Sequence, residues 1–112
     1  MRRNKADTEQ TIRKLLEIAR THFTERGYAE AAMESIVQEA GLTRGAAYHH
    51  FRSKKDLFRS VLESVQREVA ERVERGAAES DDAWRQLYAG CRAFVMAAIE
   101  RRNRRIMLID GP

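Results

Sequence analysis

The stretch that decides the fold is MESIVQEAGLTRGAAYHHFRSKK, residues 33–55. It holds two short segments of helical apolar spacing, separated by a tight turn in which Gly41 stands where the chain must reverse. The spacing predicts a helix over 32–40 and a second helix over 43–49 that Thr43 caps. Two short helices joined by such a turn form a helix-turn-helix.

The second of these helices carries an unusual surface for its length. Small residues fill positions 45–47, and groups able to donate hydrogen bonds flank them: Arg44, Tyr48, His49 and His50. A flat surface bordered by donors can approach base edges and phosphates closely inside the major groove of DNA. The Thr43 hydroxyl can cap the helix or donate to a phosphate, and a helix N-terminus itself attracts an anion.

Two longer helices flank this motif. The first is predicted over 7–26, where Asp7 begins a capping-box pattern and Gly27 supplies the stop. The other begins at Ser53, carries an apolar stripe for about five turns, and is broken by Gly76.

A fifth helix is predicted from the cap Ser80, and its apolar spacing predicts one buried face. That face comprises Trp84, Leu87, Tyr88, Cys91, Phe94, Val95, Ala98 and Ile99. Cys91 is then a small core residue, and core packing is favoured over ligand contact for Trp84 and Tyr88. Residues 101–112 predict the start of another helical turn, with their arginines spread over a solvated surface.

Composition supports an all-α fold in a soluble chain. The 112 residues are 43% hydrophobic and 34% charged, with one proline, which suits one helical domain and excludes a disordered chain. No apolar run approaches the ~18 residues of a membrane span, and no apolar stretch follows the charged N-terminus as in a secretion signal. The single cysteine fits a reducing compartment, so we expect a cytoplasmic location.

The positive charge is concentrated in the first half of the chain. Residues 1–59 hold 12 lysines and arginines against eight acidic residues, whereas residues 60–112 hold nine of each. Five of those cations and a single acid lie within 40–59. Such a segment is typical either of a polyanion-binding surface or of an ordinary solvated face.

Catalytic and metal-binding patterns are missing from the sequence. His49 and His50 are adjacent, so on a helix they point about 100° apart and cannot easily share a metal ion. His22 and Cys91 are isolated in sequence, and no protease, hydrolase or phosphate-loop motif is present. We therefore expect no enzyme activity, no metal and no cofactor.

From Thr11 to about Leu62, the sequence resembles the DNA-binding domain of the tetracycline-repressor (TetR) family of bacterial transcriptional regulators. The resemblance rests on several runs of residues in the family's order: Leu15-Leu16, Arg26-Gly27-Tyr28, Ala40-Gly41-Leu42-Thr43-Arg44-Gly45, Tyr48-His49-His50-Phe51 and Ser53-Lys54. It implies a three-helix bundle with a helix-turn-helix over 7–59. A long linking helix and the first helices of a truncated ligand-binding and dimerisation domain would then occupy 60–112.

The resemblance also implies roles for individual residues. Tyr48, His50 and Lys54 would touch phosphates, and Met33 would open the second helix where family members often contact the backbone. Four residues would face the major groove, with His49 at its edge: Thr43, Arg44, Gly45 and Ala46. Trp84 and Tyr88 would line a ligand pocket.

At the level of the whole protein, the resemblance implies a ligand-responsive repressor. Two copies would bind a palindromic operator as a homodimer, and a small-molecule effector would release the DNA. Because most of the family's second domain would lie beyond Pro112, we expect a fragment with a weak or absent ligand response. The sequence departs from the family pattern at four positions: His22, Ala32, Glu34 and Ala47.

A rival reading is a helical protein-interaction module without specific DNA binding. It would explain the wide apolar stripe of the fifth helix but gives no reason for the small residues at 45–47. A membrane-surface helix is weaker still, because the polar face of the fourth helix mixes Glu and Arg evenly. Salt dependence separates DNA binding, which weakens steeply with salt, from an apolar protein contact.

Overall fold

The computed structural model describes residues 5–112, and the regular structure of these residues is helical throughout. The helices are α1 (Lys5–Glu30), α2 (Met33–Glu39), α3 (Arg44–His50), α4 (Lys54–Ala77), α5 (Ala83–Ile99) and α6 (Arg101–Arg104), followed by a π-helical segment (Arg105–Asp110). The predicted all-α class is confirmed. The chain divides between Val61 and Leu62 into two compact units.

α1 bends at Gly27. This glycine has a φ of 80° and a ψ of 164°, which interrupts the helix after Arg26, where its stop is predicted. A short helical stretch over 28–30 follows. The predicted start is wrong, because the helix already includes Lys5 and Asp7 lies inside its first turn instead of capping it.

The core of the first unit joins α1, α2, α3 and the beginning of α4. Its larger apolar members are at most 8% exposed: Leu15, Phe23, Met33, Ile36, Val37, Phe51, Leu57, Phe58 and Val61. The Phe58 ring lies edge-on to Phe23 at 5.1 Å and to Tyr28 at 5.0 Å between centroids. Each such pair contributes about 0.5–1.5 kcal/mol beyond its buried area, so this cluster holds the start of α4 against the end of α1.

The turn between α2 and α3 has the geometry that its glycine predicts. Gly41 has a φ of 72°, and its N–H donates to the carbonyl oxygen of Gln38 at 3.0 Å. The N–H of Leu42 reaches back to the carbonyl oxygen of Val37 at 3.2 Å. These two bonds form a Schellman motif, which ends α2 and sets the direction of α3. The predicted helix-turn-helix is confirmed.

In the second unit, α4 and α5 approach each other through small residues. A Cβ added to Gly76 would lie 3.1 Å from both the carbonyl oxygen of Ala89 and the Cβ of Ala93. α4 ends at Ala77, one residue after the predicted break, and Gly76 lies in its last turn, where it permits the close contact.

The start of α5 lies two residues later than predicted. Asp82 is the cap, and its carboxylate accepts a hydrogen bond from the N–H of Trp84 at 3.0 Å. Ser80, the predicted cap, instead accepts from the N–H of Asp82 at 3.1 Å. A charged acceptor nearer the helix takes the capping position.

The predicted buried face of α5 is mostly exposed. Buried in α5 are Gly90, Ala97 and Ala98, of which the prediction includes only Ala98. The large side chains are 44–78% exposed and form what we call the α5 apolar face: Trp84, Leu87, Tyr88, Phe94, Val95 and Ile99. Cys91, predicted as a core residue, is exposed as well. The face of small residues packs on α4 because it lets the two backbones come close.

The end of the chain is anchored by polar contacts within the second unit. Asn103 is 1% exposed, and its Nδ2 donates to the carbonyl oxygen of Ala97 at 2.9 Å. Arg72 of α4 forms an ion pair with Glu100. The predicted further helical turn is confirmed as α6. No helix in the described part of the chain is both long and apolar enough to cross a membrane.

Candidate nucleic-acid interface

α3 presents one exposed surface and one buried position. The exposed residues, which we call the α3 outer face, are Thr43, Arg44, Gly45, Ala46 and His49. Ala47 is fully buried and faces the core. A Cβ added to Gly45 would meet nothing within 4 Å. Internal packing therefore does not require a glycine at this position, and the absence of a side chain leaves room for close approach by an external surface.

The N-terminus of α3 is capped as predicted. The Thr43 hydroxyl oxygen accepts a hydrogen bond from the N–H of Ala46 at 3.1 Å. Because a hydroxyl both accepts and donates, its proton stays available for an acceptor outside the protein. The geometry is thus compatible with the two roles predicted for Thr43.

Arg44 is held only loosely. Its Nη1 lies 3.9 Å from Oε1 of Glu34, and both side chains are at least 75% exposed. Its guanidinium carbon also lies 5.5 Å from the centre of the Tyr48 ring. An ion pair this exposed contributes ~0–1 kcal/mol, so Arg44 can leave Glu34 for a stronger acceptor at little cost. Glu34, one of the four departures from the family pattern, therefore restrains Arg44 only weakly.

Tyr48 and His50 lie at the margin of the α3 outer face, where both are partly buried. The rings of His49 and His50 are 5.2 Å apart at an interplanar angle of 74°. Within residues 5–112, no group of three His, Cys, Asp or Glu side chains is placed to hold a metal ion. Tyr48, His49 and His50 therefore place hydrogen-bond donors around the small residues of the α3 outer face.

Two predicted DNA contacts have other surroundings in the structure. Met33 is 8% exposed, so its side chain belongs to the core and offers little surface to a ligand. The Lys54 ammonium donates to the carbonyl oxygens of Tyr28, Ala31 and Ala29 at 2.8, 3.2 and 3.4 Å. It also lies 4.5 Å from the centre of the Tyr28 ring. Lys54 therefore ties the start of α4 to the end of α1.

A contact that the sequence does not reveal braces α2 against α1. His22 is 7% exposed, and its Nε2 lies 3.1 Å from Oε1 of Glu39, the last residue of α2. The sequence marks His22 as a departure from the family pattern but gives no partner, because the two residues are 17 positions apart. The pair helps to fix the helix that precedes α3.

The predicted ligand residues lie in the second unit and are solvent-exposed. Trp84 is 78% and Tyr88 70% exposed, so neither packs in a core. An open apolar groove of about 480 Å³ lies nearby on α4 and α5, lined by Val73, Ala77, Gln86, Leu87, Gly90, Cys91, Phe94 and Val95. Neither predicted residue is part of this lining.

Comparisons with known proteins agree with the helix-turn-helix. Residues 15–61 match the family model described as bacterial regulatory proteins, tetR family. The chain is 34% identical over 112 positions to two proteins of Pseudomonas putida, the probable HTH-type transcriptional regulator ArpR and the HTH-type transcriptional regulator TtgR. Each alignment covers 95% of this chain and 51% of the relative. The HTH-type transcriptional repressor BepR of Brucella suis is 42% identical over 62 residues, covering 55% of this chain and 30% of BepR.

A solved structure extends the similarity beyond the first compact unit, which we call the head. The crystal structure of a TetR-family transcriptional regulator from Pectobacterium atrosepticum matches with a TM-score of 0.84 and 40% identity, over 97% of this chain and 56% of that one. The chain thus spans about half the length of the relatives it matches. From the family model, the relatives and this structural match, we conclude that residues 15–61 form a helix-turn-helix of the kind found in the tetR family of bacterial regulatory proteins.

Proposed function

We propose that this chain is a sequence-specific DNA-binding transcriptional regulator that inserts α3 into the major groove. The observation that carries the proposal is the α3 outer face, where Gly45 is small although the fold leaves room for a side chain. We assign DNA binding to residues 7–59, and a linking helix with the start of a second helical unit to residues 60–112.

The dimensions of α3 suit this role. An α-helix with its side chains is about 10–12 Å across, and the major groove is about 12 Å wide, so a helix of the size of α3 can lie in it. Thr43, Gly45 and Ala46 would lie closest to the base edges, since they are exposed and small. Arg44 has the length and the hydrogen-bond donors to bind O6 and N7 of a guanine. Its ion pair with Glu34 is weak, so the side chain can move to the base.

Phosphate contacts would surround the groove contacts and fix the register of the head. Tyr48 and His50 have suitable donors at the margin of the α3 outer face, and His49 lies on the face itself. Met33 and Lys54 are left out of the contact set, because one side chain is buried and the ammonium of the other is taken up by carbonyl oxygens.

For the whole protein, we propose repression at a palindromic operator by a homodimer. Two recognition helices would then be spaced by about one turn of DNA, ~34 Å, or a multiple of it. A small effector bound in the second unit would change the DNA affinity of the head, which requires two arrangements that differ in affinity. The protein would act in the cytoplasm, and this activity involves no catalytic step.

One observation favours a second candidate function, a protein-interaction module. The α5 apolar face exposes six large side chains, more than an isolated monomer usually leaves in contact with water. This surface gives no account of the α3 outer face, so the two functions can be tested separately.

The test is a salt-titrated binding assay with a labelled duplex from the DNA that flanks the chain's own gene. If several phosphates are contacted, log K falls linearly with log salt at a slope of about −0.9 for each contact. Arg44→Ala serves as the specificity variant and is expected to relax discrimination by about 1–3 kcal/mol at one base pair. Binding that does not depend on salt, or no binding to any duplex, would contradict the proposal in favour of the interaction module.

A further inference from the structure

Three cations next to α3 lack a partner among the described residues. Arg52, Lys55 and Arg59 are exposed and line a concave surface of about 370 Å³ at the start of α4, together with Ser53 and Asp56. None of the three cationic side chains makes an ion pair or hydrogen bond with any residue in the range 5–112. We call this surface the α4 basic concavity.

The acid in this concavity has a structural task and forms no ion pair with the three cations. Asp56 Oδ2 accepts a hydrogen bond from the backbone N–H of Arg52 at 3.1 Å, and the N–H of Asp56 donates to Ser53 Oγ at 3.1 Å. These bonds cap the start of α4. The lining therefore carries three cations against one carboxylate that is bonded to the backbone.

Lys54 contrasts with its neighbours. Three carbonyl oxygens lie within hydrogen-bond distance of its ammonium, which has three protons to donate. The cation that the family resemblance assigns to phosphate is thus engaged inside the head. The positive charge available to an external anion lies on the residues beside it.

The spacing of these cations fits a nucleic-acid strand. Arg52 follows the last residue of α3 by two positions, so it lies near one end of the helix that we assign to the groove. Lys55 and Arg59 are one helical turn apart, about 6 Å along α4. One strand of duplex DNA places a phosphate about every 3.4 Å along its axis, so the ~6 Å between these two cations corresponds to about two phosphate steps and lets each cation face a different phosphate.

From these observations, we infer that the α4 basic concavity binds the sugar-phosphate backbone that borders the groove occupied by α3. This inference rests on the proposed function and adds a second contact surface to it. The contact is independent of base sequence, because phosphates carry no base identity. Lys54 is a positioning residue that aligns this surface with the end of α1.

The test measures the salt dependence of duplex binding by the full 112-residue chain. Glutamine replaces the three cations singly and together, as Arg52→Gln, Lys55→Gln and Arg59→Gln. Each single variant is expected to reduce the magnitude of the negative slope of log K against log salt by about 0.9, and the triple variant by roughly 2 to 3. The loss of affinity is expected to be equal for operator and random duplexes. Circular dichroism checks that the variants keep their helices.

Arg67→Gln is the matched control, because Arg67 lies on the same helix, is exposed, and also lacks a partner within residues 5–112. It is expected to leave the slope unchanged, and so is Lys54→Met, which removes no phosphate contact. Lys54→Met is expected to weaken operator binding at every salt concentration while the helices persist, and Lys54→Arg to restore part of the loss. A slope reduced by Arg67→Gln as much as by Arg59→Gln would overturn the inference.

The inference and the proposed function fail in different ways. If the unaltered chain binds duplexes with a steep salt dependence and the triple variant keeps the same slope, the basic concavity does not contact phosphate and the function stands. If the unaltered chain shows no salt-dependent duplex binding, both are wrong.

Discussion

Ala46 is exposed on α3, and its methyl group marks how closely that helix can approach another surface. Leucine is a good helix former and leaves the backbone N–H of residue 46 free to bond Thr43, so Ala46→Leu is expected to change stability by no more than ~0.5 kcal/mol. Its larger side chain would block entry to the groove. We expect a loss of DNA affinity of about tenfold or more in an anisotropy titration, with an unchanged thermal midpoint.

The smaller variant Ala46→Ser is the control, and it is expected to bind nearly as well as the unaltered chain. If Ala46→Leu binds operator DNA with full affinity, the α3 outer face is not the docking surface.

Tyr48 combines a ring that contacts Arg44 with a hydroxyl at the margin of the face. Tyr48→Phe keeps the ring and removes only the hydroxyl, so it isolates one proposed phosphate donor. The expected loss of binding free energy is about 0.5–1.5 kcal/mol, equal for operator and random duplexes because phosphates carry no sequence information. Parallel titrations of the two duplexes measure this. A loss confined to the operator would assign the hydroxyl to a base instead.

At this scale, the sequence predicts the exposed residues of α3 well and the pairing of side chains poorly. The small residues and donors of α3 are visible in the sequence, and the structure exposes Gly45 and Ala46 as their pattern predicts. The surroundings of Lys54 depend on carbonyl oxygens 23 to 26 positions away, and no local pattern encodes such a contact.

The helices differ in how well their ends are capped, and α2 has no side-chain cap at its N-terminus. Ala32 occupies its N-cap position with an extended backbone (φ −102°, ψ 125°) but has no side-chain oxygen to accept a hydrogen bond. Ala32→Ser supplies that acceptor, so we expect the free energy of unfolding to rise by about 0.5–2 kcal/mol. Urea denaturation followed by circular dichroism measures the change.

Ala32→Val is the matched control, because valine suits an extended backbone but cannot cap. It is expected to give no comparable gain. Equal midpoints for the serine variant and the unaltered chain would mean that another group already satisfies the first turn of α2.

Helix positions follow from periodicity, but the choice between two apolar faces does not. α5 has large side chains on one face and small ones on the other, and the hydrophobic pattern favours the large face for burial. The structure buries Gly90, Ala97 and Ala98 instead. Gly76 on α4 explains why, since even an added Cβ there would lie 3.1 Å from the backbone of α5, so the helices can approach this closely only where both lack bulky side chains. Such complementarity between helices cannot be read from one helix alone.

For the molecule as a whole, charge and apolar surface divide between the two ends of the chain. The net positive charge lies within residues 1–59, and the α5 apolar face lies in the second unit. A polyanion and an apolar partner would therefore engage different units. DNA affinity and self-association should respond to different substitutions, and salt should weaken the first far more than the second.

Trp84 reports directly on the α5 apolar face, since it is the single tryptophan and is 78% exposed. In dilute solution we expect emission typical of a solvated indole and efficient quenching by acrylamide. Burial of apolar surface is worth about 25 cal/mol per Å², so rising protein concentration should favour contact between these faces, with a blue shift and weaker quenching. Leu87→Lys places a charge in the face without removing the reporter, and it should abolish the concentration dependence. Emission typical of a buried indole at the lowest concentration would show that this face is covered within a single chain.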